Sequence, residues 1–383
     1  MVEKRSIQSF IFEINSGVGA QLEALRALVL SIEKGSYFFP LSYRLSTQEK
    51  ERIKKQMGLF QLSSFSPKSD VKGGLFILTS GSSSFPKIAF HSWKSLIENA
   101  AASARALGLE KKDVWHLSLP LWHIGGVMAA LRSLSAGASV TENLDKATFT
   151  SWIPTHLYRL IKEGKKAPSM LKCSLIGGAP VDKHLLEQGR AFGYPVKETY
   201  GLTEMGAMVT LDGIILPKKE VQIDRSSGEV LVRGEGLFEG YVDLESGQLA
   251  CPITDEGWFR TGDLGEIDSK GRLHVVGRLD NLFISGGENI QPEEIERLLN
   301  QHRGVLESVV VPIEDAEYGQ RPAVFIKGLK EAQLEEELKA YLLERVAKFK
   351  VPILWLDWPA SMQGISQKPK RADFQRLIKE LIE

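Results

Sequence analysis

The stretch FILTSGSSSFPKIAF, Phe76 to Phe90, decides how the chain is read. An apolar run with the look of a buried strand ends abruptly in Thr79, Ser80, Gly81, Ser82, Ser83 and Ser84, five hydroxyl side chains and one glycine. Phe85 and Pro86 follow, then Lys87 and a second apolar run. Hydroxyl and backbone N–H donors crowded at a strand end suit phosphate oxygens, and a lysine beside them adds a point charge. The same residues also make an ordinary solvated loop. A Walker loop is excluded, because GxxxxGK[ST] occurs nowhere in the chain.

Outward from this stretch, short apolar runs alternate with helix-like segments. LFILTS, VWHLSLP, CSLIGG and VKETYG read as buried strands, while WKSLIENAAASARALGL and DKHLLEQGRAFG read as helices. That alternation implies α/β layers around largely parallel sheets. Residues 1 to about 70 read as mostly helical and polar. After Gly213 the texture turns β-rich, and DSKG makes a turn between two short strands.

A third texture begins near Asp280. PEEIERLLNQH is a helix opening on Pro292, where a missing N–H costs nothing. SVVVPI and PAVFIKG are strands, and AQLEEELKAYLLERVAKF reads as one long amphipathic helix. The fold expected is α/β: a large N-terminal domain over residues 1–279, with mainly parallel sheets plus a β-rich subdomain. A small α+β C-terminal domain over residues 280–383 completes it.

Composition narrows the partners. The 383 residues carry 48 Lys+Arg against 48 Asp+Glu, interleaved, so no global basic field calls for nucleic acid or an anionic membrane. The only cysteines, Cys173 and Cys251, share no CxxC or His spacing, which excludes a zinc site or a disulfide framework. No apolar run is long enough to span a bilayer, and MVEKRSIQSF lacks a signal-peptide core. A cytoplasmic protein is expected.

Three later stretches bear on the opening question. ETYGLTEMGAMVT sets Tyr200, Thr203 and Glu204 within five residues: a ring that can stack on a base, a hydroxyl for phosphate and a carboxylate for Mg²⁺. WFRTGDLG holds Asp263 between two glycines, where it can bind a ribose diol or simply close a turn. GRLDNLFISGGENIQPEEIE joins Arg278 to a double glycine before a helix, a pattern equally at home in a linker.

Taken singly these are weak; their order is specific. TSGSSSFPK, YGLTE, RTGD, GRLDN and SGGENI, in series, resemble the acyl-adenylate-forming superfamily, with its acyl-CoA synthetase/luciferase-like fold. The resemblance runs from about residue 74 to the C-terminus. GRLDNLFISGGENIQPEEIERLL, LIGGAPV and KVPILWLDWP bring it nearest to the o-succinylbenzoate–CoA ligases of menaquinone biosynthesis. It implies an ATP-dependent ligase using Mg²⁺ and CoA on a small carboxylic acid. The same motifs also serve aryl- and fatty-acyl-CoA ligases, stand-alone adenylation enzymes and non-catalytic adenylate binders. The N-terminal domain is expected to be trimmed at its start relative to most of the superfamily.

Roles follow from the resemblance by matched position. Thr79, Ser80, Gly81, Ser82, Ser83 and Lys87 would grip the β- and γ-phosphates. Gly178 and Ala179 would line the adenine and acyl pocket, Tyr200 with Gly201 would meet adenine, Thr203 the α-phosphate, and Glu204 the Mg²⁺. Asp263 and Arg278 would hold the ribose. His123 would stand beside the acyl channel, and Arg159 or Ser285 would receive a second substrate carboxylate. Asp280 would be the hinge, Gly286 and Gly287 the passage for pantetheine, and Lys368, rather than Lys370, the adenylation lysine. Two departures stand out: Ser84 and Ile88 occupy positions where the superfamily usually has glycine.

Overall fold

The computed structural model describes residues 11–17, 19–59, 73–79, 87–181, 183–243, 249–328, 334–360 and 371–382. Its contacts divide the chain into two units. The larger is Met1–Gln222, Leu231–Arg260 and Asp268–Leu273; the smaller is Ile223–Val230, Thr261–Ile267 and His274–Glu383. The fold is mixed α/β, as the alternation of strands and helices implied.

In the larger unit a six-stranded sheet runs Ile11–Ile14, Tyr37–Ser42, Gly74–Leu78, Ile88–Ser92, Gly240–Val242, Leu249–Ala250. The first three strands are parallel, and the remaining pairings are antiparallel. Phe39, Phe76 and Phe90 meet Ile53 and Met57 in its core. The Phe76 and Phe90 rings lie 4.8 Å apart, within the range for favourable aromatic pairs.

The segment before residue 70 holds the helices Ala20–Glu33 and Thr47–Leu59, as expected, and two strands that the sequence reading lacked. YFFPLS is buried nearly throughout, so it shows no polar–apolar alternation, and periodicity has nothing to detect.

A seven-stranded sheet runs Ile214–Ile215, Ala207–Leu211, Val196–Leu202, Cys173–Ile176, Phe149–Trp152, Val114–His116, Ser139–Thr141. The last five strands pair parallel; the first two add antiparallel. Helices Trp93–Leu107, Ile124–Ala136, Pro154–Lys162 and Lys183–Ala191 belong to the same stretch of chain. Carboxyl ends of parallel strands are where open α/β sheets bind ligands. Here those ends deliver His116, Trp152, Ile176 and Leu202.

Four further strands, Lys219–Ile223, Glu229–Gly234, Phe259–Ile267 and Leu273–Arg278, form a sheet in that order. Their residues are shared out between the two units.

The smaller unit is built on the hairpin Val305–Asp315 and Gly319–Gly328. Phe283–Ser285 and Leu354–Asp357 also pair with Gly319–Gly328. Both faces of the hairpin are buried. Val310 and Val324 pack with Ile295, Leu299, Leu338 and Leu342; Val309, Val311 and Phe325 pack with Trp358, Phe374 and Ile378.

The expected long helix is shorter here. It spans Leu334–Leu343 and is followed by a 3-10 turn, Lys348–Lys350. The Leu342 carbonyl accepts from both Arg345 and Val346, ending the helical ladder. Val346 and Phe349 still reach the same core as Leu338. Among the described residues no helix is long and apolar enough to cross a membrane.

Phe90→Ala removes a fully buried ring and is expected to cost about 3–5 kcal/mol. Thermal or urea unfolding followed by aromatic fluorescence checks this.

Candidate active site

The hydroxyl loop begins and ends on paired strands. Leu78 is opposite Ile88, and the Thr79 amide donates to the Lys87 carbonyl at 2.9 Å. Residues 80–86 lie outside the described residues, so the expectations on Ser80, Gly81, Ser82, Ser83 and Ser84 are named without a structural account. Lys87 is exposed, and its ammonium sits 4.8 Å from the centre of the Tyr241 ring. Ile88, the second departure, is 1% exposed and packs in the core with Phe39 and Phe90.

The Tyr-Gly-Leu-Thr-Glu segment follows from strand Val196–Leu202. That strand gives way to one 3-10 turn, Thr203–Met205, closed by Gly206 at φ +58°. The Glu204 carboxylate accepts a short hydrogen bond from the Tyr241 hydroxyl. Tyr241 is paired with Ala89, two residues after Lys87. Its ring therefore joins the base of the hydroxyl loop to Glu204. The structure thus brings Lys87 and the Thr203–Glu204 turn together at Tyr241, with Thr79 bonded to Lys87. Tyr241 itself was missed in the sequence, because GYVD reads only as a β-rich segment and strand pairing alone reveals its neighbours.

The turn's carbonyls face inward and are all met. His91 Nε2 lies 2.8 Å from the Thr203 carbonyl, the Phe238 amide donates to Glu204 at 2.8 Å, and Asn99 Nδ2 donates to Met205 and Gly206 at 3.3 and 2.9 Å. A carbonyl only accepts, so His91 Nε2 carries the hydrogen. His91 is 0% exposed; burial drives its pKa down to about 4, and the ring is neutral at physiological pH.

The other positions of the large unit are more dispersed. Gly177 and Gly178 follow strand Cys173–Ile176. A Cβ at Gly177 would fall 2.7 Å from the Thr199 carbonyl, so only glycine allows that approach. Gly178 has φ +75° and Ala179 is half-buried. His123 precedes helix Ile124–Ala136, its carbonyl accepting from Gly126 at 3.0 Å, with an exposed side chain. Arg159 is exposed on helix Pro154–Lys162.

In the smaller unit Asp263 and Arg278 are direct partners. Arg278 Nη1 donates to Asp263 Oδ1 at 2.9 Å and to the Thr261 carbonyl at 3.0 Å; Nη2 donates to Asp280 at 3.1 Å. The two ribose candidates and the hinge candidate therefore share one guanidinium. Ser285 is 2% exposed and its hydroxyl finds no partner among the described residues. Gly286 and Gly287 follow it at φ +57° and +86°.

Lys368 and Lys370 lie outside the described residues. Arg371, three positions on, opens helix Arg371–Ile382 and donates to Glu293 at 3.2 Å and to Glu296 at 2.6 and 3.1 Å. Glu293 also accepts from Asn281 at 2.5 Å and from Gln291, and Gln291 donates to the Arg278 carbonyl at 3.1 Å.

Three or more clustered metal-ligating side chains occur nowhere among the described residues. A single half-buried carboxylate, Glu204, still fits Mg²⁺. That ion keeps waters and substrate phosphates as its main ligands and needs only one or two carboxylates.

Comparison with known proteins identifies the family. A family model described as AMP-binding enzyme matches residues 45–242, and one for the AMP-binding enzyme C-terminal domain matches residues 294–353. The chain belongs to the AMP-binding enzyme family. It is 36% identical over 319 residues to the 2-succinylbenzoate–CoA ligase of Salmonella typhimurium, covering 79% of this chain and 68% of that protein. The ligase of the same name from Bacillus velezensis is 32% identical over 393 residues, 94% of this chain and 80% of the relative.

Solved structures give the same picture. The o-succinylbenzoate CoA synthetase (MenE) of Bacillus subtilis in complex with the acyl-adenylate intermediate OSB-AMP matches with TM-score 0.77 at 27% identity, over 95% of this chain and 85% of that one. The same enzyme in complex with ATP and magnesium ion matches with TM-score 0.76 at 28% identity, over 91% and 85%.

The buried imidazole sets a pH dependence. With a folded pKa near 4 against an ordinary 6.5, stability is full above pH 6.5. As pH falls toward 4, about 3 kcal/mol is lost, at 1.36 kcal/mol per unit. His91→Gln keeps an N–H donor without the titration. Its melting temperature should fall less than the wild type's between pH 6.5 and 4.

Proposed function

We propose that the chain is an ATP-dependent acid–CoA ligase that activates 2-succinylbenzoate, as the relatives' names suggest. The observation that carries this reading is the corner at Tyr241, where Lys87 and Glu204 converge on one ring. A cation beside a hydroxyl loop and a carboxylate within reach of the same point suit a magnesium nucleotide.

Adenylation presses one anion against another, so positioned cations and donors matter more than a nucleophile. A carboxylate oxygen of the acid attacks the α-phosphorus, and the bond to pyrophosphate breaks. Thr79 to Ser84 with Lys87 hold the β- and γ-phosphates, Thr203 donates to the α-phosphate, and Glu204 orients the magnesium nucleotide. Bound Mg²⁺ would neutralise phosphate charge. Tyr241 fixes the Glu204 carboxylate and screens it from Lys87, which otherwise would pair with it directly.

Tyr200 and Gly201 face adenine, with Gly178 and Ala179 beside it and the acyl group. Asp263 and Arg278 take the ribose hydroxyls. Lys368 neutralises charge between the attacking carboxylate and the phosphate. In the second step the CoA thiol gives up its proton, sulfur bonds to the acyl carbon, and AMP leaves. Residues 280–383 act as the mobile domain, pivoting at Asp280, and Ser285 to Gly287 line the thiol's path. His123 and Arg159 serve the acyl end, Arg159 toward the substrate's second carboxylate. The use of ATP and CoA goes with a cytoplasmic location.

Incubation with ATP, Mg²⁺, CoA and 2-succinylbenzoate should yield the thioester and AMP, read by mass spectrometry; their absence rejects the substrate. Lys368→Ala should abolish acyl-AMP formation and spare thioester formation from supplied acyl-AMP. An equal fall in both half-reactions rejects the lysine's role.

A further inference from the structure

One buried charge-bearing side chain has no part in the steps above. Lys219 opens strand Lys219–Ile223 and is 7% exposed. Its neighbour Lys218 takes a left-handed backbone, φ +62°, a conformation non-glycine residues adopt only when the surroundings impose it. Lys218 remains solvent-facing, 3.4 Å from the Glu235 carboxylate, while Lys219 turns inward. Lys219 Nζ donates to the Met205 carbonyl at 3.3 Å and to the Glu235 carbonyl at 2.5 Å.

These carbonyls belong to two different loops that meet at the candidate site. One is the Thr203–Met205 turn that carries Glu204. The other leads through Phe238, whose amide donates to the Glu204 carbonyl at 2.8 Å, into strand Gly240–Val242 and Tyr241. Asn99 lies between them: a Cβ at Gly236 would fall 2.5 Å from its Nδ2, and one at Gly206 2.6 Å. The packing is close enough that neither loop can shift without disturbing the other.

Burying an amine is costly, and a Met or Leu in the same space would bury no amine but would take this donor from both carbonyls. Burial, with Arg132 nearby, brings the Lys219 pKa down to about 7. The neutral amine still has two N–H bonds, one for each carbonyl, so the clasp survives loss of the charge.

We propose that Lys219 is a positioning residue for nucleotide activation: by tying the Met205 carbonyl to the Glu235 carbonyl it sets the Glu204 carboxylate against the Tyr241 hydroxyl. This rests on the reading of Glu204 and Lys87 as the nucleotide grip. Lys219 touches no reacting group and acts only through the two loops.

The test compares wild type, Lys219→Met, Lys219→Gln and the outward control Lys218→Met. Two readouts are taken: hydrogen exchange of the ligand-free protein, and the two half-reactions assayed separately. In Lys219→Met the amides of Gly206 and Phe238 should exchange faster, with the rest of the unit unchanged. The kcat/KM for ATP in acyl-AMP formation should fall at least about tenfold, while thioester formation from supplied acyl-AMP stays within about threefold. Lys219→Gln, whose amide keeps two N–H donors on a shorter side chain that reaches less far, should fall between, and it decides the matter if the methionine variant does not fold. Lys218→Met should match wild type.

Unchanged kcat/KM for ATP overturns the proposal, as does a fall shared equally by both half-reactions with faster exchange throughout the unit. If wild type forms no acyl-AMP with any acid, the ligase reading fails. The exchange pattern then judges the clasp alone: local loss of protection supports it, and unchanged protection rejects it.

Discussion

A tight turn that points consecutive carbonyls into a protein interior must find a donor for each, because an unpaired buried carbonyl costs as much as a lost hydrogen bond. Thr203 to Gly206 is such a turn. Its carbonyls are met by His91, the Phe238 amide, Asn99 and Lys219, drawn from a strand, a loop, a helix and a second strand. Three of these side chains are almost wholly buried. The Glu204 carboxylate is therefore displayed from a backbone held on every side, and the site's accuracy depends on groups that never reach a ligand.

The same arrangement explains the choice of residues at the corner. Lys87 and Glu204 carry opposite charges, and Tyr241 serves both, with its ring toward the ammonium and its hydroxyl toward the carboxylate. A cation–π contact at a partly exposed site is worth on the order of 0.5–1 kcal/mol. That is weak enough for a stronger partner to displace, so the lysine is held in place without being trapped there.

Much of this was legible in the sequence. The serial order of the loop, YGLTE, RTGD and GRLDN carried the family, and alternating apolar runs carried the parallel sheet. Glu204 and Lys87, both named from the motifs, share the Tyr241 side chain. What escaped detection had a common cause. YFFPLS gave no period because both its faces are covered. Tyr241, Asn99 and Lys219 lie 154, 12 and 132 positions from Lys87 (241 − 87, 99 − 87 and 219 − 87), in segments without distinctive composition. Their importance arises only from strand pairing and loop packing, which no local pattern encodes. The long helix expected after residue 331 stops at Leu343 although Leu338, Leu342, Val346 and Phe349 keep a helical spacing toward one core, so the apolar period runs on past the point where the backbone ladder ends.

The guanidinium of Arg371 has a mechanical consequence. It is shared by Glu293 and Glu296 and reaches the Val310 carbonyl, while Glu293 in turn holds Asn281. Pulling one member from this part-buried triad leaves the others without their partner. The start of the last helix, the head of helix Pro292–Leu299 and the backbone just past Asp280 are thereby riveted into a single piece. Loss of any one of these contacts is therefore felt at all three places.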